Sequence, residues 1–129
     1  MSEQFTVEII SPDEQILKIE AKEVSIPAFE GEIGILKNHI PLITFLRPGL
    51  IKIFGDSNKI YFVEDGTVEF ANNNLLILTS TAKTLTNLDK KSLEDLIKDA
   101  EKKISDSKIS DKERYLLSYK IDNLKNINL

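Results

Sequence analysis

A chain of 129 residues, 41% hydrophobic and 29% charged, has an ordinary soluble globular balance and the size of one domain with an appendage. Its net charge of -4, with no Lys/Arg-rich block, lacks the electrostatic footprint of a nucleic-acid binder. The absence of cysteine excludes disulfides, thiol nucleophiles and cysteine-ligated zinc, and a single histidine, His39, excludes a histidine-based metal cluster within one chain. The longest nearly apolar stretch, Ile40 to Leu46, falls far short of the ~20 residues that span a bilayer. Met1-Ser2-Glu3-Gln4 has neither a basic nor an apolar signal region, so the expectation is a cytosolic protein that meets a membrane only through partners.

The first 85 residues carry strand signals. Phe5, Val7 and Ile9 alternate with Thr6 and Glu8, the period of a half-buried strand, and Ser11-Pro12-Asp13 breaks the run. Ile16 to Ile26 mixes Leu17, Ile19, Ala21 and Val24 with charges, and Pro27 is expected to limit its far end. Gly31 and Gly34 bracket Glu32-Ile33 in a stretch that reads as turn-rich. Leu50–Phe54 and Lys59–Val63 flank Gly55-Asp56-Ser57-Asn58 as a hairpin with a polar loop. Asp65-Gly66 is a second hairpin candidate, and Asn72-Asn73-Asn74 a third, between Val68–Phe70 and Leu75–Leu78. Many short strands separated by turns predict a flattened antiparallel β-sandwich.

After Thr86 the period changes. Leu93, Leu96, Ile97, Ala100 and Ile104 form one helical stripe, with Thr86-x-x-Asp89 as a candidate cap and Glu94–Lys98 and Asp99–Lys103 as i,i+4 pairs. Ser110-x-x-Glu113 is a capping box for a second helix, whose stripe is Leu117, Ile121 and Leu124 beside Tyr115, Leu116 and Tyr119. Two helices joined by the short polar segment Ser105–Ile109 should fold back as an antiparallel hairpin. The fold class is therefore α+β, with a sandwich over residues 1–85, a helical hairpin over 86–129, and a hinge at Thr84, Thr86 and Leu88.

Candidate chemistry is sparse. His39 as a general base with Glu30 or Glu32 lacks a spaced nucleophile or second acid, and the bland alternative is a turn or interface residue. Gly31-Glu32-Ile33-Gly34 lacks the Lys and Ser/Thr of a phosphate-binding loop. Thr79-Ser80-Thr81 has no histidine nearby and reads as a polar strand end, and Glu30 with Glu32 reads more simply as a solvated hairpin than as a hydrolytic carboxylate pair. No catalytic residue, metal or cofactor is assigned.

The run from Val24 to Gly49, VSIPAFEGEIGILKNHIPLITFLRPG, resembles the signature of the ATP synthase epsilon subunit. The family reads there as a small apolar strand, Pro, Glu-Gly-x-x-Gly-Ile, His-x-Pro-Leu and Pro-Gly. Phe62–Phe70 followed by the Asn-rich turn and Leu76-Ile77-Leu78 resembles its next block, with Asp65-Gly66 where Gly-Gly is usual. The resemblance extends over the whole chain, because that family is also a sandwich followed by a helical hairpin.

The resemblance implies a non-catalytic rotor subunit in the central stalk of a bacterial F-type ATP synthase, peripheral at the cytoplasmic face of the inner membrane. By motif position, Glu30, Gly31, Glu32, Ile33 and Gly34 would face the polar loops of the c-ring. His39, Pro41 and Thr44 would lie near the gamma-facing surface. The hairpin would reach the catalytic head and inhibit ATP hydrolysis. The family's ATP motif is degenerate in this chain: Leu88-Asp89 remain, Ser92 replaces the motif arginine, and the second helix holds only Arg114, so weak or no ATP binding is expected. The rival readings are a stand-alone β-sandwich that holds a small ligand and a hydrolase built on His39 and Glu32.

Overall fold

The computed structural model describes residues 3–84 and 90–125. Ten strands come first: β1 (Phe5–Ile10), β2 (Gln15–Ala21), β3 (Glu23–Ala28), β4 (Gly31–Leu36), β5 (Leu42–Leu46), β6 (Gly49–Phe54), β7 (Lys59–Val63), β8 (Gly66–Ala71), β9 (Asn74–Leu78) and β10 (Lys83–Thr84). Helices α1 (Lys90–Ile104) and α2 (Asp111–Lys125) follow. The strands form one continuous ladder in the order β10-β7-β6-β3-β5-β8-β9-β1-β2, with β4 paired on the other edge of β3. The ladder folds over at β3. Glu23, Val24 and Ser25 pair with β6, and Ala28 pairs with Leu46 of β5, so one strand serves both layers.

Alternation places one face of each strand inside. Phe5, Val7 and Ile9 of β1 meet Val24, Ile26, Ile35, Ile51, Ile53, Val68, Phe70, Leu75 and Ile77 in a single core. Phe5 and Phe70 pack edge to face with centroids 5.7 Å apart. Tyr61 joins this core, and burial pushes its phenol above the usual range. All strand pairs are antiparallel except β1 with β9, which run parallel.

Three local expectations are corrected. Pro27 does not end β3 but lies within it. It sits in the gap where the partner strand changes from β6 to β5, so no ladder bond needs its missing N–H, and its carbonyl accepts the Arg47 N–H at 3.0 Å. Gly31–Gly34 is not a turn but the start of β4, paired residue for residue with Ala28–Ser25. The turn itself is Phe29-Glu30, and Gly31, at φ 129, completes it. Asp65-Gly66 makes no hairpin: β7 pairs with β6 and β10, whereas β8 pairs with β5 and β9, so this dipeptide carries the chain from one layer to the other.

The other two turns form as expected. Gly55–Asn58 joins β6 to β7, with the Gly55 N–H held by Asn58 Oδ1 at 3.3 Å. Asn72 and Asn73, at φ 54 and 58, make the tight loop between the paired residues Ala71 and Asn74.

The helices pack on each other and on the sandwich. Leu93 near the start of α1 and Leu124 near the end of α2 meet Phe62 of β7, as an antiparallel pair requires. The Ser110 cap is present, with the Glu113 N–H donating to Ser110 Oγ at 3.1 Å, and Lys103 pairs with Asp99 at 3.3 Å. The candidate cap Thr86-x-x-Asp89 lies outside the described residues, as do the hinge positions Thr86 and Leu88; Thr84 ends β10.

Gly66 generates a prediction. Its φ is 153, and a Cβ there would lie 2.7 Å from the Leu78 carbonyl oxygen. Gly66→Ala should cost at least about 1–3 kcal/mol, seen as a lower urea midpoint at unchanged slope. An unchanged midpoint would mean that the step between layers does not need glycine.

Candidate functional site

At the end of the β3–β4 hairpin the carboxylates are individually anchored. Glu30 is exposed, and its Oε2 accepts the Thr44 hydroxyl at 3.0 Å. Glu32, in β4, accepts the Ser25 hydroxyl across the β3–β4 pair. The rims of the sequence-predicted cluster Glu30–Gly34 are exposed or half-buried throughout. The arrangement presents two fixed negative charges and two glycines at a sheet edge, suited to contact with donors and not to acid/base chemistry.

His39, Pro41 and Thr44 are brought near one another along the entry to β5, but they do not share a surface. Thr44 is only 5% exposed, because its side chain points into the sandwich and holds Glu30. Pro41 is exposed. His39 donates from Nδ1 to the Ile40 carbonyl at 2.7 Å and sets its ring edge against Phe70 at 5.9 Å. The neighbouring turn is tied down by Asn38 and Asn73: the Asn38 N–H donates to Asn73 Oδ1 at 2.7 Å, and Asn73 Nδ2 donates to Asn38 Oδ1 at 3.1 Å.

The outward face of β5 carries the feature that residue-by-residue reading missed. Ile43 is 74% exposed and Phe45 58%. Phe45 stands beside Thr67, Thr67 beside Leu78, and Leu78 beside Ile10, one row across four strands. Leu78 is 45% exposed and Phe29, whose ring lies 6.4 Å from that of Phe45, is 39%. Phe29, Phe45, Thr67, Leu78 and Ile10 border an open groove of about 750 Å³ together with Pro12, Gly66 and Thr79. A signal was present: β5 reads Leu-Ile-Thr-Phe-Leu, with apolar residues at outward as well as inward positions. Such a strand is covered on both faces, or has one face waiting for a partner.

The second unforeseen feature is the seat of α2. Arg47, 9% exposed, donates from Nη1 to the Tyr115 hydroxyl at 3.0 Å, and its guanidinium carbon lies 4.1 Å from the centre of the Tyr119 ring. Asn123 Nδ2 donates to the Pro48 carbonyl at 3.0 Å, and Lys120 pairs with Glu64. Leu50, Leu96 and Ile97 pack around the Phe62–Leu93–Leu124 contact.

The rival catalytic sets are not assembled. Thr79 Oγ1 donates to the Asp65 carbonyl at 2.7 Å, and the Glu64 N–H donates to Thr81 Oγ1 at 3.0 Å, so these hydroxyls stabilise the step between layers. His39, Glu30 and Glu32 are each bonded to different partners. Among the described residues no group of three or more His, Asp or Glu is placed to hold a metal ion. Of the degenerate nucleotide motif, Leu88 and Asp89 lie outside the described residues, and Ser92 falls in the first turn of α1. Among the described residues no helix is long and apolar enough to cross a membrane.

The described residues thus form a sandwich with an uncovered apolar face, followed by a docked helical pair. The family model for the ATP synthase Delta/Epsilon chain, beta-sandwich domain, matches residues 4–85. A Pelagibacter ubique (strain HTCC1062) protein named ATP synthase epsilon chain is 49% identical over 99% of this chain and 100% of its own length. A Parvibaculum lavamentivorans protein of the same name is 32% identical over 98% of this chain and 97% of its own. In fold, the chain is similar to one in the Euglena gracilis mitochondrial ATP synthase OSCP/F1/c-ring assembly, with a TM-score of 0.77 at 21% identity, covering 97% of this chain and 79% of that one. The chain therefore belongs to the ATP synthase epsilon-chain family. It is a non-catalytic accessory subunit of the ATP synthase, and the stand-alone ligand-binding and hydrolase readings are set aside.

Proposed function

We propose that the chain couples c-ring rotation to ATP synthesis by gripping gamma with one face of the sandwich and the ring with one end of it. The observation that carries this reading is the uncovered row Phe45–Thr67–Leu78–Ile10 with Ile43 and Phe29, an apolar face that water does not favour and that a partner would cover. Gamma is the proposed occupant. In this reading His39 and Pro41, which precede β5, lie toward gamma, and Thr44 serves the face indirectly by holding Glu30. The end formed by Glu30, Gly31, Glu32, Ile33 and Gly34 meets the polar loops of the c-ring, where fixed carboxylates accept from basic or amide donors. The molecule thereby sits peripherally at the cytoplasmic face of the bacterial inner membrane, reaching the bilayer only through partners.

In this reading residues 1–85 are the gripping domain and 86–129 the regulatory one, released about a hinge at Thr84, Thr86 and Leu88 to touch the catalytic head. Nucleotide plays little part, because lysine does not reproduce the bidentate contact of the missing motif arginine.

Three measurements test this. Mixed with its gamma subunit at micromolar concentration, the chain should elute from gel filtration as one stoichiometric complex, and Phe45→Asp should weaken that complex at least about tenfold without unfolding the sandwich. Two separate peaks for the unmutated chain would refute gamma as the occupant. Glu32→Lys should leave the sandwich itself folded, since the side chain is exposed at its edge, but reduce proton-driven ATP synthesis in membranes. Normal synthesis would remove this end of the sandwich from the ring. Truncation after Thr86 should leave a folded, gamma-binding sandwich and raise membrane ATP hydrolysis; a truncated chain that is unfolded would overturn the division into two domains.

A further inference from the structure

Arg47 touches both halves of the molecule at once. Its backbone N–H holds the Pro27 carbonyl at 3.0 Å, next to the β3–β4 turn. Its Nη2 lies 4.0 Å from where a Cβ on Gly31 would stand, so the guanidinium packs close to the turn backbone. On its other side are the Tyr115 hydroxyl and the Tyr119 ring, both on α2. A cleft of about 290 Å³ alongside is lined by Arg47, Glu32, Lys52, Tyr119 and Asn123.

With α2 seated, Arg47 is only 9% exposed, and a cation so desolvated is costly unless other groups compensate it. Tyr115 gives one acceptor and Tyr119 its ring face. The carboxylate lining the same cleft is that of Glu32, fixed by Ser25; it makes no ion pair with Arg47 and acts on the guanidinium only through the field across the cleft. Lys52, of like charge, makes that carboxylate more necessary.

We propose that Arg47 is a positioning residue that couples the Glu30–Gly34 end of the sandwich to the docking of α2. Drawing the Glu32 charge out of the cleft leaves the guanidinium under α2 less compensated, and the hairpin loosens. By linkage, a loosened hairpin lets Arg47 hydrate and makes Glu32 freer to engage elsewhere. The coupling is internal to the chain and stands whichever partner meets this end.

Hydrogen exchange of backbone amides in the full-length chain tests it. Glu32→Gln should speed exchange of α2 amides about fivefold while β1 and β9 amides keep their protection. In an Arg47→Met background, which keeps an apolar stem under the tyrosines, Glu32→Gln should change α2 exchange less than about twofold. Arg47→Lys should restore the response, because the charge is what Glu32 senses. Tyr119→Leu, on the hairpin side, should by itself speed α2 exchange about fivefold or more with the sandwich unaffected. The proposal is overturned if Glu32→Gln leaves α2 exchange unchanged, if its effect persists in full without the Arg47 charge, or if β1 and β9 amides accelerate along with α2.

Discussion

Everything in this molecule hangs from the close approach of the β5–β6 corner to β3. Gly49 lies so near Pro27 that a Cβ on the glycine would be 2.6 Å from the proline Cβ. Beside it, the Arg47 N–H closes onto the Pro27 carbonyl at 3.0 Å, and the Phe29 N–H onto the Phe45 carbonyl at 3.0 Å. These contacts let β3 pair with β6 at one end and with β5 at the other, so a single ladder bends into two layers with one core between them. The same corner turns the Arg47 side chain outward under α2 and fixes the Glu30 carboxylate through Thr44, so the sandwich core, the hairpin seat and the acidic end share one origin.

The hairpin is held differently from the sandwich. Its seat has one small apolar centre, Phe62 with Leu93 and Leu124, and a larger polar perimeter of Arg47, Asn123 and the Lys120–Glu64 pair. Each buried Leu or Phe contributes about 1.5–3 kcal/mol, and polar contacts between two packed units add little beyond replacing water. Such an interface resembles those between domains that separate and rejoin more than it resembles a domain interior. The sandwich, in contrast, buries eleven large side chains almost completely, including Phe5, Phe70, Ile26 and Ile53. Stability is thus concentrated in the part that carries the uncovered apolar face.

A subunit of this kind works by shape and contact. Its histidine, its threonine cluster and its paired glutamates look like chemistry in one dimension, yet each is spent on a local bond: His39 on Ile40, Thr79 on Asp65, Glu30 on Thr44, Glu32 on Ser25. What remains unspent is surface, the row from Phe45 to Ile10 and the acidic end beside Arg47. These surfaces are carried on one continuous ladder.

Much of the fold was legible from local patterns, because strand and helix periods are properties of neighbouring residues. The alternation of Phe5, Val7 and Ile9, the Asn72-Asn73 turn, the helical stripe from Leu93 to Ile104 and the Ser110 cap all appear as read. The long motif from Val24 to Gly49 was enough to place the chain in its family. The errors at Pro27, Gly31–Gly34 and Asp65-Gly66 share one cause: whether such residues end a strand, begin one or cross between layers depends on which distant strand lies alongside. That pairing is set by contacts such as Ala28 with Leu46 and Gly66 with Leu46, which no local window contains. For the same reason the sequence by itself determined the elements and the family, whereas only the tertiary structure decided that Thr44 points inward, that Ile43 and Phe45 remain uncovered, and that Arg47 lies between the turn and α2. Burial belongs to the packed whole, and a side chain's surroundings exist only once strands far apart in the chain have closed around it.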